Sequence, residues 1–210
     1  MGAPKIEKSA NSRPRARRLS TDARRAQLLE IAVGVVARRG LAATRHHADV
    51  AEEAGVSTAT VFFYFSTRED LITAVLGEVE EQLAKLAEEI LVRDLPVRRN
   101  ALDLLRAFSD WVGTHPDHAR VWIEWGTAIR EDFWPRYQDL IEWHVQMWKS
   151  AIERGQRQKG VAADLDPYEV ARLIVGSGHM IVQLKFAGHE PEKVDHFIRS
   201  LVRAATGIEG

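Results

Sequence analysis

The 210-residue chain contains no cysteine, which excludes disulfides and thiolate metal sites and fits a reducing cytoplasm. It has no stretch of eighteen or more apolar residues, so no segment is expected to span a membrane as a helix. The N-terminus lacks the apolar segment of a secretory signal. Strand-like alternation is scarce and Ala, Leu, Glu and Arg are plentiful, so the expected fold is all-α. Signatures of catalysis are missing too. Gly176-Ser177-Gly178 lacks a Walker lysine and a completed GxGxxG, and no Ser-His-Asp order or paired-acid motif stands out. His46-His47 are adjacent, and His115-x-x-His118 straddles Pro116 with only Asp117 nearby. No metal, no cofactor and no enzymatic activity are expected.

Net charge is also small, −1 overall, but it is unevenly spread. Residues 1–45 hold eleven Lys/Arg against three acids, a net of +8, and the remainder sums to −9. A basic head on an acidic body is the asymmetry of a chain that meets phosphates at one end. Residues 1–19 carry Pro4, Pro14 and no apolar period, and read as a flexible basic arm. Its cluster Arg13, Arg15, Arg17 and Arg18 has two explanations: a solubilising tail, or an arm that enters a DNA minor groove.

The densest signal is Ala48 to Asp70, ADVAEEAGVSTATVFFYFSTRED. Ala48, Val50, Ala51 and Ala54 recur at helical spacing. Gly55 supplies the left-handed turn, and Ser57 is a good N-cap for a second short helix, Thr58 to about Tyr64. Two short helices around a glycine-containing turn form a helix-turn-helix pattern. Ser66-x-x-Glu69 reads as a capping box for a longer helix. Before the motif, a helix is expected over Thr21 to Arg39, with Leu28, Leu29, Ile31, Ala32, Val35 and Val36 inward. After it come helices from Ser66 to about Val92, Val97 to Gly113, around Val121 to Trp125, and from about Asp132 or Pro135 to Gln158. Two more follow, from Asp166-Pro167 to Ala187 and from Pro191 to near Gly207.

The run AxxAGVSxxTVFxYFxxREDL (Ala51 to Leu71, with its flanking residues) resembles the DNA-binding motif of the TetR family of bacterial transcriptional regulators. HAD (47–49), TREDL (67–71), VWIEW (121–125), the Arg130 to Pro135 run and AIERG (151–155) resemble the LuxR/HapR-type quorum-sensing regulators of vibrios. That resemblance implies nine helices in three parts: the arm (1–19), a helix-turn-helix domain (20–66) and a helical regulatory and dimerisation domain (67–210). It favours the minor-groove reading of the arm. It also implies a homodimer on a palindromic double-stranded DNA operator, in the cytoplasm and away from membranes, with a small amphipathic molecule as effector. A TetR-fold nucleoid-associated or protein-interaction module is the alternative.

Candidate DNA contacts follow. Ser57, Thr58 and Thr60 offer hydroxyls, and Ala59 permits close approach or contact with a thymine methyl. Thr44 is the candidate cap and phosphate contact at the first short helix. Val61, Phe62 and Phe65 are expected in the core. Tyr64 matches the family tyrosine that meets a phosphate. Phe63 stands where the vibrio regulators carry a base-reading asparagine, so a different target sequence is expected. Arg68 reads as a phosphate contact or as the partner of Glu69 or Asp70.

In the body, Phe108, Trp111, Trp122, Trp125, Phe133, Trp134, His144, Met147 and Trp148 fit either a large core or an amphipathic ligand cavity. Gly176, Ser177, Gly178, Ile181, Phe197 and Leu201 are the candidate dimer interface. Small residues there let a second helix approach closely.

Overall fold

The computed structural model describes residues 20–207 apart from 92 and 94. Among the described residues there are nine helices and no strand. They are α1 (Thr21–Arg39), α2 (His46–Ala54), α3 (Thr58–Tyr64), α4 (Arg68–Leu91), α5 (Val97–Thr114), α6 (Pro116–Thr127), α7 (Trp134–Arg157), α8 (Pro167–Phe186) and α9 (Pro191–Thr206). The expected arm, with Arg13, Arg15, Arg17 and Arg18, lies outside the described residues.

Local chemistry sets the boundaries. Ser20 caps α1 by accepting the Ala23 N–H at 3.2 Å. Gly55 closes α2 at φ +64°, a left-handed conformation that costs glycine little. Ser57 then caps α3 by accepting the Thr60 N–H at 3.1 Å.

Two expected caps move. The box that opens α4 is Thr67 with Asp70 rather than Ser66 with Glu69: Thr67 N–H donates to Asp70 at 3.1 Å and Asp70 N–H to Thr67 Oγ1 at 3.0 Å. A shorter Asp serves the same reciprocal geometry as a Glu one position on. At α2 the cap position is Arg45, which makes no side-chain capping bond. Thr44, one residue earlier, is therefore not the cap.

Burial follows the helical period. In α1, Leu28, Ala32, Val33, Val35 and Val36 are buried, while Leu29 and Ile31 sit half-buried at the edge of the stripe. Helix α4 buries Leu71, Ile72, Val75, Leu76, Val79, Leu83, Ala87 and Ile90 along its whole length. Its 24 residues span about 36 Å at ~1.5 Å per residue, so one helix packs on α1 and α2 and also on α5 and α6. Helix α1 packs on α6 and α4, and α7 lies along α8. The first helices are thus seated directly on the rest of the molecule.

Most of the tryptophans belong to this core. Trp111, Trp122, Trp125 and Trp148 are buried, and two indole N–H groups have partners inside it. Trp111 donates to Gln82 and Trp125 to the Phe133 carbonyl, both at 2.9 Å. Trp143 is exposed on α7.

Candidate nucleic-acid interface

Helix α3 presents Thr58, Ala59, Phe62 and Phe63 to solvent and turns Val61 inward. With Phe65 buried behind it, the short helix is anchored by its inner side alone. Phe62 departs from expectation: it is 46% exposed and not core. The reason is His47 of α2, which takes the inner place. Its ring stacks on Phe62 with centroids 4.0 Å apart and planes 11° apart, and its Nε2–H donates to the Phe65 carbonyl at 2.8 Å. Phe63 is 75% exposed and meets the edge of half-buried Tyr64 at 5.1 Å.

The hydroxyls on this face differ in availability. Ser57 Oγ and Thr60 Oγ1 lie 2.8 Å apart and satisfy one another while Ser57 caps the helix. Thr58 points outward at the first position of α3. Thr44 and Arg45 are both exposed before α2. Arg45 was missed from the sequence; its place at the end of the basic block is the signal that could have found it.

Arg68 is placed otherwise than for a phosphate. Its Nε–H donates to the Ala43 carbonyl at 2.9 Å, and a terminal N–H donates to the Leu41 carbonyl. The remaining terminal nitrogen is 3.6 Å from Glu69. The guanidinium therefore shapes the loop before α2. Beneath that loop, His46 Nε2–H donates to the Gly40 carbonyl at 2.9 Å, and burial lowers its pKa below the ordinary histidine value.

The body holds an apolar cavity of about 70 Å³ between α4, α5, α7 and α8, lined among others by Leu83, Leu105, Phe108, His144, Ile174 and Gly178. Of the nine sequence candidates, Phe108 and His144 line it. Trp111, Trp122, Trp125 and Trp148 are packed as core, and Phe133, Trp134 and Met147 lie against that core. The cavity has room for only a few water-sized groups and is well below the few hundred Å³ that take a drug-sized molecule. His144 Nδ1–H donates to the Leu140 carbonyl at 2.8 Å, and burial lowers its pKa.

The small-residue segment of α8 splits. Gly176 faces outward with open space around the position of a Cβ. Ser177, Gly178 and Ile181 face inward. Ser177 donates to the Ile174 carbonyl at 2.6 Å, and a Cβ on Gly178 would stand 3.1 Å from Trp122. Those three belong to the protomer's own packing and leave the candidate interface. Its outward apolar residues are Leu173 and Met180 with Gly176, and half-buried Phe197 and Leu201 on α9.

Residues 28–75 match the model of bacterial regulatory proteins of the tetR family. The HTH-type transcriptional regulator LuxR of Vibrio harveyi is 38% identical over 175 residues, covering 80% of this chain and 81% of the relative. The chain belongs to the tetR family. It is a DNA-binding transcriptional regulator, and it matches transcriptional regulators rather than enzymes. A second relative, the transcriptional repressor KstR2 of Mycobacterium tuberculosis, is 28% identical over 73% of this chain and 76% of its own length. The crystal structure of a TetR-like regulator from Rhodococcus sp. RHA1 superposes with a TM-score of 0.76 at 21% identity, covering 91% of this chain and all of that one. The tetR-family helix-turn-helix is thus α2 and α3, with α1 and the start of α4 as its supports.

Proposed function

We propose that the chain regulates transcription in the cytoplasm as a homodimer, each protomer placing α3 in a major groove of a palindromic operator. Residues 20–66 are the DNA-binding head and 67–210 the regulatory and dimerisation body. The observation that carries this reading is the outer face of α3, where Thr58, Ala59, Phe62 and Phe63 stand exposed on a helix that buries Val61 on its other side. Thr44, Arg45 and Tyr64 supply phosphate contacts at the flanks, and Arg13, Arg15, Arg17 and Arg18 enter the adjacent minor groove. Leu173, Gly176 and Met180 of α8 with Phe197 and Leu201 of α9 meet the same surface of a second copy. A two-fold protein then matches a two-fold site.

The cavity beside α4 is the proposed effector site. A small apolar molecule that fits only an opened form of it would shift the population of body conformations, and through α4 the spacing of the heads. The vibrio-branch resemblance extends the proposal to quorum-sensing control, which the genes beside the bound sites decide.

The test is selection of bound sequences from a random duplex pool at near-physiological salt. A palindromic consensus supports the reading. Retention of DNA without enrichment favours a nucleoid-associated role instead.

A further inference from the structure

The segment Ser57 to Ser66, STATVFFYFS, contains no Lys, Arg, His, Asn, Gln, Asp or Glu. The bidentate or charged readers in the major groove are Arg or Lys for guanine, Asn or Gln for adenine and an acid for cytosine, with Ser and Thr hydroxyls serving any of them singly. Helix α3 carries none of the bidentate or charged readers. Two of its hydroxyls, on Ser57 and Thr60, already satisfy each other at 2.8 Å. What remains on the outer face is one threonine, one alanine methyl and two phenyl rings. The base-edge group in the major groove that an apolar surface recognises is the 5-methyl of thymine.

We infer that this regulator reads its operator through thymine methyl groups, with Phe62 and Phe63 as the reading pair and Ala59 beside them. The inference rests on the proposed seat of α3 in the major groove. Phe62 is set in place before binding, while Phe63 stands at an exposed position with one edge contact. Phe62 lies flat on His47, which the Phe65 carbonyl fixes. Phe63 stands at 89° against Tyr64. The Phe62 ring has little freedom left to lose on docking, so burial of a methyl against it is retained as affinity. His47 is a positioning residue in this scheme: it holds Phe62 at the surface and touches no base.

Thymine and uracil differ only by that methyl, which lies in the major groove, so their exchange leaves the minor-groove edge seen by the arm unchanged. The full chain is titrated by fluorescence anisotropy against its selected site, once with thymine and once with deoxyuridine at the positions facing α3. Each lost methyl is expected to weaken binding about fourfold, the equivalent of ~0.8 kcal/mol. Several substitutions together should exceed tenfold. Phe63→Ala should bind the thymine and uracil duplexes with a much smaller ratio, and His47→Ala should shrink the ratio at the methyls under Phe62. Phe63 is almost fully exposed, so its variant keeps the fold, which a melting curve verifies. Thymine and uracil duplexes bound within twofold of each other, by a protein that still selects one sequence, would overturn the inference and leave the operator reading standing. No selected sequence at all overturns both.

Discussion

Glu124 of α6 accepts the Leu41 backbone N–H at 2.8 Å, while Arg68 of α4 donates to the carbonyl of the same residue. One residue of the loop ahead of the helix-turn-helix, through the two peptide groups that flank it, is therefore held from two body helices. Leu41 itself is buried, so neither its N–H nor its side chain can move without disturbing the packing beneath. This is a physical link between the body and the DNA-reading helices, carried by two side chains.

Glu124→Ala strands the Leu41 N–H. An unsatisfied buried donor costs about 1–3 kcal/mol, and the loop that sets α2 loses its tether. Urea denaturation should show the loss of stability, and a DNA titration should show weaker binding. Glu124→Gln keeps an acceptor oxygen and should restore most of both. Equal damage from the two variants would mean that the carboxylate charge matters rather than the hydrogen bond.

Arg68→Met separates positioning from phosphate neutralisation. The variant loses its donors to Leu41 and Ala43, so affinity for DNA should fall. The slope of log affinity against log salt should stay unchanged, because no phosphate contact is removed. Arg15→Ala with Arg17→Ala should behave in the opposite way, lowering the slope by about one unit per lost phosphate contact. A reduced slope in Arg68→Met would show that the guanidinium reaches the DNA backbone after all.

How far the sequence was legible differs from element to element. The end of α2 and the start of α3 were readable because Gly55 and Ser57 act within one turn, and local chemistry is what a sequence displays. The failures are tertiary. Nothing in the local pattern tells that His47 will take the inner place that Phe62 seemed to claim. For Arg68 the sequence offers a phosphate contact or a pairing with Glu69 or Asp70; the contact with Glu69 is present at 3.6 Å, but the carbonyl partners lie 25 and 27 residues back in the chain and are not visible locally. Gly176-Ser177-Gly178 read as one small-residue patch, but successive helix positions are 100° apart, so three consecutive residues cannot share a face. The indole cluster was ambiguous for a related reason. Trp111 and Trp125 find partners on other segments, and only the fold brings these within reach.

Acid should destabilise the protein before its carboxylates titrate. His46, His118, His144 and His179 are each shifted below the ordinary histidine value, with burial as the largest cause. The unfolded chain, with histidines near 6.5, therefore binds protons that the folded chain refuses. The stability tied to the neutral rings is fully present above pH 6.5 and is lost as pH falls below it. Melting temperatures measured from pH 7.5 to 5 should decline through this window. Replacing His144 by Gln should flatten the decline, since that side chain stays neutral. A flat profile in the unaltered protein would contradict the burial of these rings.

The outward face of α8 offers a test in which the protomer serves as its own control. Leu173 and Met180 are 58% and 45% exposed, so Met180→Arg removes little packing inside one chain. It would place a charge in the apolar centre of the proposed dimer. Sedimentation velocity should then show a monomer that melts independently of protein concentration and binds DNA weakly. Ile181, fully buried beside it, makes the contrast: Ile181→Arg should unfold the protomer outright. Gly176→Leu discriminates further. Its Cβ meets open space in the protomer, and leucine is a better helix former than glycine by roughly 0.8 kcal/mol. An isolated chain should gain stability from that change. A loss of dimer alongside it can come only from a helix of the second copy lying close against Gly176.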